Sequence, residues 1–206
     1  MATATQAAPV PPGGGVKALR EAAAGCRACP LWRNATHTVF GDGPARSDLM
    51  LVGEQPGDRE DREGEPFVGP AGGLLHQALE EAGIDPAKAY RTNVVKHFKW
   101  KPRGKRRIHQ TPSKLEIDAC LPWLRAELER VKPEAVGLLG ATAAKALLGS
   151  GFRVSRERGK LLEVGFAPVA VATYHPSAVL RARDDERRAA FAELVADLRV
   201  LARAAA

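Results

Sequence analysis

The side chains of this sequence that are best suited to chemistry lie in polar segments that follow short apolar runs. One apolar run, at residues 49–52, ends in Gly53-Glu54-Gln55-Pro56-Gly57. Its glycines and proline permit a tight turn and a close approach to a ligand, while Glu54 and Gln55 provide an acid and an amide. A strand-end loop of this kind is either a binding site or a solvated turn, and its residue types alone leave both open. Three further segments follow the same pattern, at residues 93–109, 140–142 and 173–177.

The segment at residues 93–109 contains a strongly basic stretch. Residues 96–109 read KHFKWKPRGKRRIH, with seven Lys or Arg and no acid. Such a density is typical of phosphate contacts, and Phe98 and Trp100 could stack on nucleic-acid bases or anchor the loop. The alternative is a solvated charged loop. The whole chain has 31 Lys and Arg against 24 Asp and Glu, a net charge of +7, which favours an anionic partner such as nucleic acid.

Three cysteines and one histidine form a candidate metal site. Cys26-Arg27-Ala28-Cys29 supplies two thiolates and Cys120 a third, and a metal or cluster needs a fourth ligand, for which His97 is the candidate. Spacing does not separate an iron–sulfur cluster from a structural zinc ion. A redox pair at Cys26 and Cys29, with Cys120 buried in a helix, is the remaining alternative.

Length and cysteine usage limit the class of protein. A chain of 206 residues that is 45% hydrophobic suits one domain with a substantial core. Three cysteines cannot make a paired disulfide framework, and the sequence shows no signal peptide and no apolar run of membrane length. We therefore expect a soluble intracellular protein of the cytoplasm, monomeric and without a membrane partner.

Alternating helices and strands are predicted to position the polar segments. Hydrophobic periodicity predicts strands at residues 49–52, 90–95, 135–139, 161–164 and 169–172, and helices at residues 16–24, 73–82, 113–130, 143–148 and 184–201. The helix after Ser113 opens with a capping box that includes Glu116. This alternation predicts a single α/β domain in which a central, mostly parallel sheet has helices on both faces. Ligands of such folds bind beyond the carboxyl ends of the strands, where the polar segments meet.

The domain boundaries follow from composition. Residues 1–15 consist largely of Ala, Thr, Pro and Gly without hydrophobic periodicity, which predicts a disordered tail. Residues 16–206 form the predicted domain, which includes the basic loop at about residues 98–113.

The chain resembles the uracil-DNA glycosylase superfamily in its combination of motifs, over roughly residues 16–202. The motifs are Gly53-Glu54-Gln55-Pro56-Gly57, Pro66-Phe67-Val68-Gly69, Asn93, His175-Pro176-Ser177 and the cysteines. Within the superfamily the chain is most similar to the iron–sulfur family-four type. The segment Gly104-Lys105-Arg106-Arg107-Ile108-His109 resembles the insertion that marks the UdgX branch.

The resemblance implies roles for the residues that bind the base and the DNA. Phe67 resembles the residue that stacks on the flipped base, and Asn93 the amide that pairs with the uracil edge. His175 resembles the histidine that stabilises the departing uracil anion. Gln55 belongs to the implied uracil pocket. The implied DNA contacts come from Lys105, Arg106 and Arg107 of the insertion and from Ser177 and Arg181 of the last motif.

The resemblance also implies an unusual reaction. Gln55 stands where the best-known glycosylase family has a water-activating aspartate, and an amide cannot take a proton. The UdgX likeness implies that His109 attacks the sugar carbon, oriented or activated by Glu54, and leaves a stable covalent adduct after a single turnover. It also implies a 4Fe-4S cluster held by Cys26, Cys29, His97 and Cys120.

The expected function is therefore base excision in DNA repair, by a hydrolase-type enzyme that removes uracil from DNA, preferably single-stranded, and becomes trapped through His109. A conventional hydrolytic family-four glycosylase with turnover is the first alternative. A non-catalytic nucleic-acid-binding module stapled by zinc is the second. The residue types assign no role to Asp58, Asp61 or Glu63, which could contact the loop, the DNA or water.

Overall fold

The computed structural model describes residues 8–205, and its centre is a five-stranded sheet in the order β2-β1-β5-β7-β6. The strands are β1 (Leu49–Gly53), β2 (Tyr90–Asn93), β3 (Trp100–Arg103), β4 (Arg106–His109), β5 (Ala135–Leu139), β6 (Leu162–Val164) and β7 (Ala167–Thr173). The helices are α1 (Val16–Ala23), α2 (Asp58–Glu63), α3 (Pro70–Glu81), α4 (Lys114–Val131), α5 (Ala141–Leu148), α6 (Val154–Glu157), α7 (Pro176–Arg181) and α8 (Asp184–Ala204).

Four neighbouring strands of the sheet are parallel, and the edge strand β6 is antiparallel to β7. The register sets Gly53 beside Asn93 and Leu139 beside Thr173. Parallel pairing therefore brings the segments that follow β1, β2, β5 and β7 to one edge of the sheet. The prediction of a single, mostly parallel α/β sheet with helices on both faces is confirmed.

Each face of the sheet has its own core, because successive side chains of a strand point to opposite faces. Met50 and Val52 pack with α1 and α4 on one face, and Leu49 and Leu51 pack with α3 and α8 on the other. Gly137 in β5 lets the second core close, since a Cβ atom there would lie 2.7 Å from a methyl group of Leu51. The sheet is thereby fixed between two rigid layers.

Most predicted elements agree with the structure within a few residues. The strand at Ala135–Leu139 is confirmed, and so is the capping box at Ser113, whose backbone N–H donates to Glu116. Helix α3 begins three residues earlier than predicted because Pro70, whose ring fixes a helical φ, occupies its first turn. The short helices α2, α6 and α7 were not predicted.

The basic insertion forms a two-stranded antiparallel hairpin, β3–β4, which is separate from the central sheet. Trp100 pairs with His109 at its base, and Gly104, with a φ of 58°, takes part in the turn at its tip. Lys101, Arg103 and Arg106 are exposed along it. The insertion is therefore an ordered arm with His109 at its inner end.

The amino-terminal tail falls into two parts. Residues 1–7 lie outside the described residues, and for them the disordered tail stays a prediction. Residues 8–15 contain no helix or strand, yet Ala8 is buried and Arg130 donates hydrogen bonds to the carbonyls of Pro12 and Gly14. This stretch lies against α4.

None of the helices within residues 8–205 has the length and apolar character needed to cross a membrane.

Candidate active site

A cleft of about 940 Å³ opens at the carboxyl edge of the parallel strands. Each of the four polar segments that follow the apolar runs contributes to it. The cleft is lined by side chains that can bind a ligand or take part in a reaction: Glu54, Phe67, Asn93, His109, Thr142 and His175. The structure thus brings together residues that are up to 121 positions apart in the chain, from Glu54 to His175.

The floor of the cleft holds an amide beside an aromatic ring. Asn93 ends β2 and is 3% exposed, and among residues 8–205 its side chain has no hydrogen-bond partner. Its Oδ1 and the tip of the Phe67 ring both press on Gly53, where a Cβ atom would lie 2.4 Å from the oxygen and 2.8 Å from the ring. Only glycine at position 53 leaves room for this arrangement, which offers a planar ligand a stacking surface and an unused amide.

Phe67 adopts a backbone conformation that is rare for a bulky residue, with a φ of 60°. The left-handed geometry is held by Gly72, where a Cβ atom would collide with the carbonyl oxygen of Phe67. Helix α3 therefore packs directly under the turn that carries the ring. Strain of this kind persists only where the surroundings enforce it and is common at binding sites.

Glu54 and His109 form an ion-pair-like contact across the cleft. The Oε1 atom of Glu54 lies 3.1 Å from Nε2 of His109, and its Oε2 atom accepts a short hydrogen bond from the Thr142 hydroxyl. Burial alone would raise the pKa of Glu54. The hydrogen bonds from His109 and Thr142, together with the electrostatic attraction of His109, outweigh burial and place the pKa of Glu54 below its usual value. Glu54 is thus an ionised group that orients an imidazole, half of whose surface is exposed.

His175 has one defined tautomer. Its Nδ1 atom accepts a hydrogen bond from the backbone N–H of Ser177 at 3.1 Å. Burial lowers the pKa of His175 to about 4, so the ring is neutral at pH 7. Because a neutral imidazole has one N–H and Nδ1 is the acceptor, the proton must be on Nε2. The ring therefore offers the cleft a hydrogen-bond donor that carries no charge.

Gln55 is engaged with the hairpin rather than with the open cleft. Its Nε2 atom donates to the carbonyls of Lys99 and Gln110, and its Oε1 atom accepts from the backbone N–H of Lys99, each at 3.2 Å. These residues flank β3 and β4. The amide closes the base of the hairpin while the residue lines the cleft beside it, and its predicted contact with uracil stays a prediction.

Arg107 is also turned inward. Its guanidinium binds Asp61 Oδ2 at 2.6 Å, forms a shorter contact with Asp58, and lies over the rings of Phe98 and Trp100. These two carboxylate partners make Arg107 an anchor of the hairpin, and its predicted contact with DNA stays a prediction. The same contacts give Asp58 and Asp61, left without a role by the sequence, a structural one.

The other predicted DNA contacts are split between two places. Lys105 and Arg106 are exposed at the tip of the hairpin, outside the cleft lining. Ser177 lines the cleft and fixes His175 through its N–H and its hydroxyl, which is 2.8 Å from Nδ1. Arg181, at the end of α7, lines the cleft with an exposed side chain. Glu63 pairs with Arg59 on the surface at 2.6 Å.

Two functional side chains were not singled out from the sequence. Thr142 holds Glu54, and the Gly140-Ala141-Thr142 turn had indicated only that this segment reaches the cleft. Glu60 is buried under the loops and accepts hydrogen bonds from the N–H groups of Gly57 and Gly69 at 3.1 and 3.0 Å. These bonds are donated by the backbone N–H groups of glycines, which every residue except proline has. The sequence therefore gives no indication that Glu60 binds there, and only the structure shows it.

The three cysteines are free, buried and part of one core. Burial, with a smaller contribution from the neighbouring thiols of Cys29 and Cys26, raises the pKa of Cys120 to about 12. The backbone N–H of Lys96 and the indole of Trp123 lie 3.3 Å from the sulfurs of Cys120 and Cys26. Donors of this kind stabilise thiolates that bind a metal.

His97 lies near the same segment through Thr38. The Thr38 hydroxyl is 2.9 Å from His97 Nε2 and 3.4 Å from the carbonyl of Ala24, two residues before Cys26. Burial lowers the pKa of His97 to about 4, which keeps the ring neutral, as a metal ligand must be. Within residues 8–205 no three His, Cys, Asp or Glu side chains converge as they would around one metal ion. Three thiols and a neutral imidazole are nevertheless side chains that can bind an iron–sulfur cluster.

Comparisons with known proteins agree with this geometry. A family model described as the uracil DNA glycosylase superfamily matches residues 40–199. A type-4 uracil-DNA glycosylase of Thermotoga maritima is 38% identical over 164 residues, covering 79% of this chain and 82% of the relative. A type-4 uracil-DNA glycosylase of Pyrobaculum aerophilum is 39% identical over 170 residues, covering 79% and 83%. The match spans β1 to α8 and therefore every strand that positions the cleft, and on this ground the chain belongs to the uracil-DNA glycosylase superfamily.

Proposed function

We propose that the protein is a uracil-DNA glycosylase of DNA repair that becomes covalently attached to DNA through His109. The observation that carries the proposal is the convergence of Asn93, Phe67, His175 and the Glu54–His109 pair on one cleft. The type-4 relatives supply the substrate class. The hairpin that delivers His109 supports membership of the UdgX branch.

Recognition of uracil is assigned to Phe67 and Asn93. A base flipped out of the strand stacks on the ring of Phe67, and the amide of Asn93 gives one hydrogen bond to the uracil edge and accepts another. Cytosine presents the opposite pattern of donors and acceptors, so the buried amide of Asn93 would remain unpaired against it. Such a mismatch discriminates by up to about ten-thousandfold.

Departure of the base is assigned to His175. When the bond between the sugar C1′ and uracil N1 breaks, its electron pair leaves with the uracil as an anion. The Nε2–H of the neutral His175 ring donates to an oxygen of that anion without transferring a proton. A donor fixed in advance by Ser177 stabilises the developing charge and needs no reorganisation during the reaction.

Formation of the adduct is assigned to His109 and Glu54. As the base leaves, an imidazole nitrogen of His109 forms a bond to C1′, and the ring proton passes to the Glu54 carboxylate or to solvent, so that the substituted ring is neutral. An imidazole bound to this carbon is a poor leaving group. Gln55 cannot activate water, because an amide does not accept a proton and because its side chain is held by the hairpin.

A denaturing gel with a uracil-containing single strand tests the covalent step. We expect a shifted band that survives denaturation and approaches one DNA per protein, and no band with the same strand lacking uracil. His109→Ser should remove the band. Free uracil accumulating over many turnovers without a band would contradict the trapping and favour the conventional hydrolytic enzyme, which the names of the type-4 relatives support.

We further propose that single strands are preferred, because extraction of the base from a duplex also costs its pairing. The rate of adduct formation should be higher for a single strand than for a duplex with uracil at the same position. Equal rates on both substrates at saturating DNA would contradict the preference.

We propose that Cys26, Cys29, His97 and Cys120 hold a 4Fe-4S cluster. The support is their burial, the mutual influence of the thiols and the N–H donors on two sulfurs. The cluster would act as a structural cross-link between the segment after α1, α4 and the loop after β2. Brown protein with about four irons and four sulfides per chain is the expected result. Colourless protein containing one zinc ion would contradict it.

A further inference from the structure

A buried ion pair contacts the backbone of Asn93, whose side-chain amide is the proposed binding group for uracil. Lys96 and Glu127 have side chains that are 1% and 0% exposed, and their charged groups are in direct contact. Glu127 comes from the middle of α4, and Lys96 from the loop after β2. Neither residue lines the cleft.

The ammonium group of Lys96 has all three of its donors engaged. Besides Glu127, it donates to the hydroxyl of Thr92 at 2.6 Å and to the backbone carbonyl of Asn93 at 2.7 Å. After β2 the chain continues beside the segment that follows β1, since the N–H groups of Val94 and Val95 donate to the carbonyls of Gly53 and Glu54. From there the side chain of Lys96 reaches back to the carbonyl of Asn93, whose own side chain lines the cleft.

The carboxylate of Glu127 is equally well satisfied. Its Oε1 atom accepts from the hydroxyls of Tyr90 and Thr92, both at 2.9 Å, and from the backbone N–H of Gly41 at 3.1 Å. A Cβ atom at Gly41 would lie 2.3 Å from that oxygen, so the approach is close. Glu127 is thus fixed by three donors before it meets Lys96.

The stability of the fold does not account for this arrangement. Burying two charges costs free energy that their attraction rarely exceeds, and apolar side chains of similar volume are often as stable. What an apolar pair cannot supply is a directed donor to the carbonyl of Asn93. A group that fixes one peptide plane also fixes the Cα–Cβ direction of the same residue, and hence the position of its amide.

We propose that the Lys96–Glu127 pair is the positioning element for Asn93: it sets the place of the side-chain amide and thereby the selection of uracil over cytosine. The inference rests on the proposed function for its effect on the reaction, but the placement of Asn93 is a property of the free protein. A displacement of about 1 Å at a reacting or recognising group lowers a rate by about a hundredfold.

The test compares variants that each remove buried hydrogen bonds of the Lys96–Glu127 network but differ in their effect on the donor to the Asn93 carbonyl. Lys96→Met/Glu127→Gln removes both charges and the donor to the Asn93 carbonyl. Tyr90→Phe is the matched control, because it removes one hydrogen bond from the same Glu127 oxygen and does not contact that carbonyl. Thr92→Val is a milder variant that keeps both charges and removes one acceptor of the Lys96 ammonium group. It decides the question if the double variant does not fold.

Two measurements are made on the full chain. The first is the rate at saturating DNA with uracil or cytosine at one position of a single strand, together with the affinity for the uracil-free strand. We expect the uracil rate to fall about a hundredfold in the double variant, the uracil-to-cytosine ratio to fall with it, and the affinity to be unchanged. Thr92→Val should change in the same direction by less, and Tyr90→Phe should stay within about threefold of the wild type, at a lowered melting temperature.

The second measurement is the side-chain amide resonance of Asn93 in the DNA-free protein, recorded by ¹⁵N NMR. It should move or broaden in the double variant and in Thr92→Val, and it should stay in place in Tyr90→Phe. An unmoved resonance with unchanged rates would overturn the proposal, as would equal losses in Tyr90→Phe. Wild-type protein that neither releases uracil nor forms an adduct would overturn the proposed function instead, while the NMR comparison would still decide whether the pair holds Asn93.

Discussion

Single residues of this site act mainly by fixing one another. Gly53 makes room for Asn93 and Phe67, Gly72 holds the turn of Phe67, and Ser177 fixes the tautomer of His175. The chemical groups are common ones, an amide, a ring and an imidazole. Their value lies in being held in place before DNA arrives.

Gly53→Ala is a direct test of this close packing. The added methyl group would meet Asn93 Oδ1 at 2.4 Å and the Phe67 ring at 2.8 Å, so both must move out of the base-binding position. We expect the uracil rate to fall by about a hundredfold or more while the affinity for uracil-free DNA is retained. Gly73→Ala, where an added Cβ meets nothing within 4 Å, is the control. Equal rates for Gly53→Ala and the wild type would contradict the assigned pocket.

The buried, neutral state of His175 links stability to pH. The unfolded chain binds a proton at this residue below a pKa of 6.5, whereas the folded protein binds it only near pH 4. Stability contributed by the neutral ring is therefore present above pH 6.5 and is lost as pH falls towards 4, by roughly 3 kcal/mol. In urea unfolding at pH 7.5 and 4.5, His175→Gln should lose less stability than the wild type by about that amount. The pKa of His97 is also lowered by burial, but His97 is present in both proteins, so its contribution cancels in the difference between them.

At the scale of elements, the β3–β4 hairpin is the main addition to the sheet. Gln55 closes its base, Arg107 ties it to α2, and His109 enters the cleft from its inner end. The placement of His109, the proposed nucleophile, therefore depends on contacts that lie outside the reacting atoms.

Arg107→Gln and Lys105→Gln should separate anchoring from DNA binding. Loss of the Asp58 and Asp61 contacts would free the hairpin, so the rate of adduct formation at saturating DNA should fall about a hundredfold with little change in affinity. Lys105→Gln should weaken affinity and leave the saturated rate unchanged. An Arg107 variant that loses only affinity, as Lys105→Gln does, would show that Arg107 contacts DNA. Single-turnover kinetics over a range of DNA concentrations gives both quantities.

The sequence predicted elements that are specified locally and missed those that are specified by distant contacts. Ala135–Leu139 is a continuous apolar run and matches β5, and the capping box marks the start of α4. Arg107 reads as one cation among seven, because its partners Asp58 and Asp61 lie 49 and 46 residues away. The hydrogen bonds between Gln55 and the hairpin are not visible in the sequence for the same reason: the carbonyl partners of its amide are 44 and 55 residues distant.

At the scale of the whole molecule, the net charge of +7 is unevenly available to DNA. Arg107, Lys96 and Arg158 are engaged with carboxylates, whereas Lys105 and Arg106 are exposed at the tip of the hairpin. We propose that the exposed cations attract phosphates, whereas the cations paired with carboxylates hold parts of the protein together. The net charge of the sequence is therefore larger than the positive charge that is available to contact DNA.

The salt dependence of DNA binding should show this division. Each phosphate contact with a single strand contributes a slope of about −0.7 to the dependence of log K on log salt concentration. Lys105→Gln/Arg106→Gln should make the slope for a uracil-free strand shallower by about 1.4. Arg199→Gln, which removes a cation bound to the Glu81 carbonyl between α8 and α3, should leave the slope unchanged. A slope unaffected by the double change would place the phosphate contacts elsewhere on the molecule.

The three hydrogen bonds of Gln55 link the chemical group at position 55 to the position of the hairpin. A carboxylate at position 55 could activate water, but it has no N–H to donate and would face the carbonyl oxygens of Lys99 and Gln110. A change from trapping to turnover at this position would therefore also release the arm that carries the nucleophile. In a chain that reacts as proposed, water activation at position 55 and anchoring of the hairpin therefore cannot be changed separately.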